Sequence, residues 1–355
     1  MQLSDFNYHL PSELIAQTPV EPRDSSRLMV VDGSDVTHHR FSDVIQYFAA
    51  GDCLVLNDTQ VIPARLFGKK ETGGQVELLL VSKVDAKDMA GVGGGKNDIW
   101  ECMVRGKKLK KGSLITINKK LCARIVSDKP GFTKHVKFEY EGDFDTILED
   151  TGIMPLPPYI KEKLPASKGG RYQTVYAKHR GSIAAPTAGL HFTPQLLSQI
   201  ADMGVNIAHV TLHVGLGTFL PVREDDLTKH EMHTEEYCIS EKAASIINES
   251  LDSGGRLFVA GTTSLRTLET VYRKHGKIVP TCGTSDLFIY PPYEFKTPVY
   301  AMITNFHLPA STLLMLICAL GGMDTVFNAY EIATKDEYKY RFYSFGDAML
   351  LLRNG

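Results

Sequence analysis

Residues 181–192, Gly181-Ser182-Ile183-Ala184-Ala185-Pro186-Thr187-Ala188-Gly189-Leu190-His191-Phe192, are dense in small and polar types. Such a segment exposes backbone N–H groups and lets a ligand come close, while His191 supplies a group that titrates near neutrality and Phe192 a stacking face. That combination suits a nucleoside. Three more polar segments follow apolar, strand-like runs: His213-Val214-Gly215-Leu216-Gly217-Thr218-Phe219, Gly261-Thr262-Thr263 and Asn305-Phe306-His307-Leu308. In an open α/β sheet ligands gather at the carboxyl ends of strands, so all four segments are expected to converge on one crevice.

Other motifs carry less. Gly91-Val92-Gly93-Gly94-Gly95-Lys96 has Ala90 and Asn97 where a phosphate-cradling loop needs its glycine and hydroxyl, and reads as a flexible hairpin loop. The histidines of His230-Glu231-Met232-His233 are three apart and not four, without a helical period around them, so no zinc site is expected. His209 and His213 share a face if Val205 to Val214 is a strand, and either could instead be a hydrogen-bonded core histidine. The basic run Arg105-Gly106-Lys107-Lys108-Leu109-Lys110-Lys111-Gly112 could grip RNA phosphates or be a solvated turn.

The elements that must hold these residues fall into two kinds. Leu28 to Val31 and Cys53 to Leu56 read as strands, with Ser42 capping a helix through Phe48 between them. Six short strands follow without a convincing helix: Arg65 to Gly68, Gln75 to Val84, Ile99 to Val104, Ser113 to Ile117, Leu121 to Ser127 and His135 to Tyr140. They suggest a small antiparallel barrel, closed off by the stiff Met154-Pro155-Leu156-Pro157-Pro158 connection. Helices then return at Thr193 to Gly204, Ser240 to Gly254, Ser264 to His275 and Ser311 to Leu320, alternating with strands at Val205 to Val214, Arg256 to Ala260 and Val299 to Ile303. The expected fold is an α/β main domain, a mixed sheet with helices, built from both chain ends (1–62 and 153–355). An all-β six-stranded antiparallel barrel (63–152) is inserted in it.

With 355 residues, 43% of them hydrophobic, and a formal net charge of −2, the chain can bury two cores and is unsuited to wrapping long nucleic acid non-specifically. A local RNA contact remains open. Six cysteines, Cys53, Cys102, Cys122, Cys238, Cys282 and Cys318, form no close pair and are expected to be reduced thiols. Met1-Gln2-Leu3-Ser4-Asp5 lacks a signal-peptide pattern, and the longest apolar stretch, Leu313 to Leu320, is too short to span a bilayer, so a cytoplasmic protein without a membrane role is expected.

Read together, segments spread along nearly the whole chain closely resemble the S-adenosylmethionine:tRNA ribosyltransferase-isomerase family of queuosine biosynthesis. They include Phe6-Asn7-Tyr8-His9-Leu10-Pro11, Arg23-Asp24-Ser25-Ser26-Arg27-Leu28 and Asn57-Asp58-Thr59-Gln60-Val61-Ile62-Pro63-Ala64-Arg65. They continue through Arg171-Tyr172-Gln173-Thr174-Val175-Tyr176-Ala177, Ala185 to Phe192, His230 to Tyr237, Thr304 to Leu308 and Tyr340 to Met349. Gln60 stands where the family usually has Arg, and Pro292 where Gly is usual.

The resemblance implies the same two-part fold. It also implies a substrate, tRNA with a GUN-type anticodon carrying 7-aminomethyl-7-deazaguanine at the wobble position. S-adenosylmethionine is the implied ribosyl donor, and the products are epoxyqueuosine, adenine and methionine. No metal or permanently bound cofactor is implied, and a monomer is expected. Proton transfer falls to His191 or His213, with Glu235 and Glu236 in reserve. Substrate binding is expected from Arg171, Tyr172, Gln173, Ala188, Gly189, Phe192, Gly215, Gly217, Thr218, Thr262, Thr263, Asn305 and His307. RNA binding is expected from Arg105, Lys107, Lys108, Lys110 and Lys111. Two rivals make different products. A methyltransferase would release S-adenosylhomocysteine and normally show a Gly-x-Gly turn after its first strand, which Leu28 to Gly33 and Leu54 to Thr59 lack. A plain RNA-binding protein would not consume S-adenosylmethionine.

Overall fold

Cys53-Leu54-Val55-Leu56 and Leu257-Phe258-Val259-Ala260 are apolar at every position, the pattern of strands covered on both faces. The computed structural model describes residues 1–84, 98–127, 133–155, 171–215, 217, 222, 224–339 and 346–353, and places both runs at the centre of a nine-stranded sheet. In chain order the strands are β1 (Arg27–Asp32), β2 (Asp35–Arg40), β3 (Cys53–Asn57), β4 (Thr59–Val61), β5 (Arg65–Lys70), β6 (Gln75–Val84), β7 (Asp98–Arg105), β8 (Leu114–Thr116), β9 (Leu121–Ser127) and β10 (Thr133–Tyr140). They continue with β11 (His179–Ser182), β12 (Asn206–Leu212), β13 (Glu235–Ile239), β14 (Leu257–Ala260), β15 (Thr281–Ser285), β16 (Val299–Asn305) and β17 (Ala348–Leu352). The α-helices are α1 (Phe144–Thr151), α2 (Pro194–Asp202), α3 (Glu241–Asp252), α4 (Thr262–His275), α5 (Thr312–Gly321) and α6 (Met323–Lys335).

The chain divides into two compact units, one of Met1–Gln60, Pro157–His179 and Ala184–Gly355, the other of Val61–Leu156 with Arg180–Ile183. In the first, the sheet order is β15-β13-β12-β3-β14-β16-β17-β1-β2. Its middle four strands, β12, β3, β14 and β16, are parallel, and antiparallel pairs flank them. Alternate side chains serve opposite cores. Cys53, Val55, Leu257 and Val259 join Ile247, Leu265, Leu268 and Met315 on one face, while Leu54, Leu56, Phe258 and Ala260 join Phe41, Leu196 and Ile200 on the other. Each Val, Leu, Ile, Phe or Met among them stabilises the fold by roughly 1.5–3 kcal/mol.

Local chemistry sets the helix ends. Thr193 caps α2 with Pro194 in the first turn, and Ser240 and Ser311 cap α3 and α5 by accepting from Ala243 and Leu314 N–H groups. Helix α4 ends on Gly276 in the left-handed region (φ 69°), with Arg273, Lys274 and His275 in its last turn. Among the described residues no single helix is long and apolar enough to cross a membrane.

The second unit is a closed barrel in the order β10-β7-β6-β5-β8-β9, with every neighbour antiparallel. Leu66, Val76, Leu78, Leu80, Ile115, Ala123, Ile125, Val136 and Phe138 fill it.

The structure corrects several expectations. Residues 41–47 form a 3-10 helix entered at Arg40, whose N–H donates to Asp43 (2.9 Å), so Ser42 is no cap. Helix α1, capped by Asp143, follows the barrel strands, where no helix was expected. Cys238 and Cys282 are not free thiols: they face each other across β13 and β15 and are joined in a disulfide. Cys53, Cys102 and Cys318 are free and buried, and Cys122 is free and half-buried. The glycine patch at 91–96, residues 156–158 of the proline-rich connection, and Thr218 lie outside the described residues.

Candidate active site

Parallelism puts the carboxyl ends of β12, β3, β14 and β16 on one edge, and polar residues follow each apolar run there. At the end of β3, the Asn57 side chain accepts from the N–H groups of Leu212 (3.1 Å) and Thr59 (3.1 Å). It also donates to the Leu212 carbonyl (3.0 Å) and the Thr263 hydroxyl (3.1 Å). One amide thus ties the ends of β3 and β12 to the start of α4. Asp58 accepts from the Thr211 hydroxyl (2.7 Å).

Gly261, between β14 and α4, has φ 87°, which an L-residue rarely adopts, and no side chain caps the helix it opens. The Ala188 methyl lies beside it, 3.7 Å from where a Cβ would stand. Residues 187–191 form a 3-10 turn in which Ala188, Gly189 and His191 are buried. At Gly189 a Cβ would come within 2.0 Å of the Tyr176 hydroxyl, so only glycine fits there. Burial, with the Asp58 charge second, pushes the Tyr176 phenol well above its usual range, so it stays protonated.

His191 and Asn305, at the end of β16, meet at this edge. The Asn305 amide lies 2.7 Å from His191 Nε2, Ser26 Oγ lies 2.8 Å from Nδ1, and the ring stacks on Phe41 at 4.9 Å. Both ring nitrogens are therefore engaged, and the residue is only 5% exposed. His213 is different. Its Nδ1 lies 2.8 Å from Thr59 Oγ1, and no hydrogen bond engages Nε2 within the described residues. Where the Thr59 hydroxyl directs its hydrogen to the His179 carbonyl (3.4 Å), the fitting tautomer has Nδ1–H donating to Thr59 and the lone pair on Nε2.

Burial lowers the His213 pKa below 6.5, against the opposing pull of Glu236 and Asp58. Because the folded value is depressed, the stability linked to His213 is complete above about 6.5 and is lost as pH falls through the folded value. If His213 acts as a base, the acid limb of the pH–rate profile should lie below about 6.5. A limb above that value would contradict a base so placed.

Glu235 opens β13, antiparallel to β12, and is buried against Arg266 of α4 (Nη1 to Oε2, 2.5 Å), while its Oε1 accepts from Gly215 N–H (3.0 Å). It thereby holds the backbone at Gly215, two residues after His213. Thr262 and Thr263 sit in the first turn of α4, and Gly217 packs against the His233 side chain. His307 is buried, with Nε2 3.0 Å from Thr304 Oγ1 and its N–H donating to Tyr330 (2.7 Å). Phe192 is wholly buried edge-on to Phe41, so its ring offers no face to a ligand. Tyr172 is likewise wholly buried, Arg171 pairs with Glu21 (2.5 Å), and the Gln173 carbonyl accepts from Arg23 (2.7 Å). In the barrel unit, Arg105 at the end of β7 and Lys107, Lys108, Lys110 and Lys111 between β7 and β8 are exposed. Residues 230–233 are not helical.

Sequence reasoning passed over Ser26, Asn57, Asp58, Thr59 and Arg266. The strand-end rule, applied to Cys53–Leu56, points straight to Asn57-Asp58-Thr59. Nothing local marks Arg266, which looks like an ordinary helical arginine.

A mixed sheet with polar side chains gathered at four parallel strand ends, and a separate six-stranded barrel between its two chain portions, define an α/β enzyme class with a barrel insertion. The chain belongs to the Queuosine biosynthesis protein family, whose profile matches residues 3–351. It is 50% identical to the S-adenosylmethionine:tRNA ribosyltransferase-isomerase of Acetivibrio thermocellus, over 99% of this chain and all of that one. It also resembles the crystal structure of the S-adenosylmethionine tRNA ribosyltransferase from Thermotoga maritima. The TM-score is 0.55 at 37% identity, over 98% of this chain and all of that one.

Proposed function

We propose that this chain transfers and isomerises the ribosyl moiety of S-adenosylmethionine onto 7-aminomethyl-7-deazaguanine at the wobble position of tRNA, giving epoxyqueuosine, adenine and methionine. The tRNA class is that with GUN-type anticodons, and the enzyme works as a cytoplasmic monomer without a resident metal or cofactor. One observation carries the assignment of the site: segments near residues 57, 188, 213, 261 and 305 meet at a single sheet edge beside a histidine with an available Nε2.

The sulfonium acidifies the neighbouring C5′ hydrogens, so a neutral imidazole within hydrogen-bond reach can remove one. The electron pair forms the C4′=C5′ bond as C4′–O4′ breaks, and the freed O4′ becomes the C1′ carbonyl as adenine leaves with a proton. His213 is the proposed base. His191, held at both nitrogens, positions the 187–191 turn against Asn305. The aminomethyl nitrogen of the tRNA then adds at C4′ of the resulting vinyl sulfonium and loses a proton, the C5′ carbanion so formed closes onto the C1′ aldehyde, and the alkoxide displaces methionine from C5′ to form the epoxide. Because water would intercept these species, the packed turns around Gly189 and Gly215 matter as much as the base.

Incubation with S-adenosylmethionine and tRNA bearing the aminomethyl base should yield free adenine and a tRNA mass increase matching the epoxycyclopentanediol group. Release of S-adenosylhomocysteine would indicate a methyltransferase instead. Binding without any consumption of S-adenosylmethionine would indicate an RNA-binding protein.

A further inference from the structure

Within the barrel unit lies a second concavity of about 460 Å³, in the size range of small-ligand sites. Strand β7 supplies Asp98 and Trp100 to its wall, β10 supplies Tyr140, and the turn into α1 supplies Asp143 and Phe144. Phe144 braces the aromatic side, with its ring centroid 5.1 Å from Tyr140 and 6.2 Å from Trp100. The Trp100 indole N–H is buried and has no hydrogen-bond partner among the described residues. A donor left in that state is costly unless something it meets can accept.

Asp98 faces the same space, accepting from the Tyr140 hydroxyl (3.1 Å) and paired with Lys83 (2.5 Å). Burial and Asp98 push the Tyr140 phenol up to about 12, so it remains a donor at neutral pH. Aromatic faces, a donor without a partner and carboxylate acceptors within one cavity match a flat ring with acceptors and amines on its edge. Arg180 also lines the space, and its partner Glu149, like Lys83, is largely solvated. Such surface pairs are weak, so these cations can exchange their carboxylates for a phosphate at little cost.

We infer that this barrel pocket binds an unstacked nucleobase of the RNA substrate. Recognition of single-stranded RNA commonly stacks splayed bases on aromatic side chains and reads their edges by hydrogen bonds. The inference rests on the RNA-modifying reading above, and the two can be tested apart.

Trp100 is the only tryptophan in the chain, so its emission reports on this pocket alone. The full-length protein would be titrated with an unmodified anticodon stem-loop RNA, with a fully paired duplex of equal length, and with free 5′-nucleotides. Saturable quenching by the stem-loop, and little by the duplex, is expected. Quenching by nucleotides but not by the stem-loop would overturn an RNA site. Equal quenching by the duplex would overturn base recognition in favour of phosphate contact. Tyr140→Ala, and the nearly isosteric Asp98→Asn should the first fail to fold, are expected to weaken stem-loop affinity about tenfold or more and to raise KM for tRNA with kcat kept. Unchanged affinity in a folded variant rejects the pocket. Adenine release measured in parallel separates the two ideas: release without quenching overturns the pocket only, and quenching without release overturns the reaction only.

Discussion

Replacing His213 with Gln should lower adenine release by about 10²–10⁴-fold, the range for loss of a general acid–base group, while S-adenosylmethionine and tRNA still bind. Glutamine can keep the hydrogen bond to Thr59 that the imidazole makes at 2.8 Å, so geometry survives and only the basic lone pair is lost. The same change at His191 should act differently. Its ring joins Ser26, Asn305 and Phe41, and the variant gives up stacking and one of two buried hydrogen bonds. Thermal stability should fall with activity there, by about 1–3 kcal/mol. Single-turnover adenine release beside denaturant unfolding distinguishes the two positions. Full turnover in His213→Gln would remove that residue from the chemistry.

How far the fold could be read depended on where each strand sits. β3 and β14 are buried on both faces, and their unbroken apolar runs announced them. β6 and β9 alternate with period two, and their limits, Gln75–Val84 and Leu121–Ser127, agree with the reading residue for residue. β15, Thr-Cys-Gly-Thr-Ser, is an edge strand with no apolar residue but its cysteine, so no periodicity could mark it. β13 begins with two glutamates, and its inward Glu235, Tyr237 and Ile239 make sense only once Arg266 neutralises the first of them. The Cys238–Cys282 link was hidden for the same cause. Two cysteines 44 apart become neighbours only if both strands are recognised and set in register.

The site was legible where the strand-end rule applied and illegible where packing decided. His213, Thr262, Thr263 and Asn305 all follow parallel strands and gather at one edge, together with the turn of Ala188 and Gly189. Phe192 looked like a stacking face because its neighbours are small, yet a residue just before a helix cap can equally anchor that helix. Here it fills the core beside Phe41, Leu196 and Ile200. Composition cannot separate these outcomes, since both want an aromatic ring next to glycine and alanine.

Arg266→Met should destabilise the protein by about 3–5 kcal/mol, because Glu235 would lose, in a buried place, its only cationic partner among the described residues. The partners are 8% and 4% exposed, so water cannot take over from the guanidinium. Adding Glu235→Gln to Arg266→Met should recover most of that loss, since a neutral amide costs far less to bury and its oxygen can still accept from Gly215 N–H, now 3.0 Å from the carboxylate. Activity should follow the same order. Gly215 lies two residues beyond His213, so a displaced Glu235 loosens the backbone that carries the imidazole. If unfolding midpoints rank wild type, double variant, single variant, and adenine release ranks likewise, Glu235 positions the site and is not itself the base. If Glu235→Gln alone removes turnover while leaving stability and the His213 pH limb intact, Glu235 touches the reacting atoms and the division of roles between these two residues is reversed.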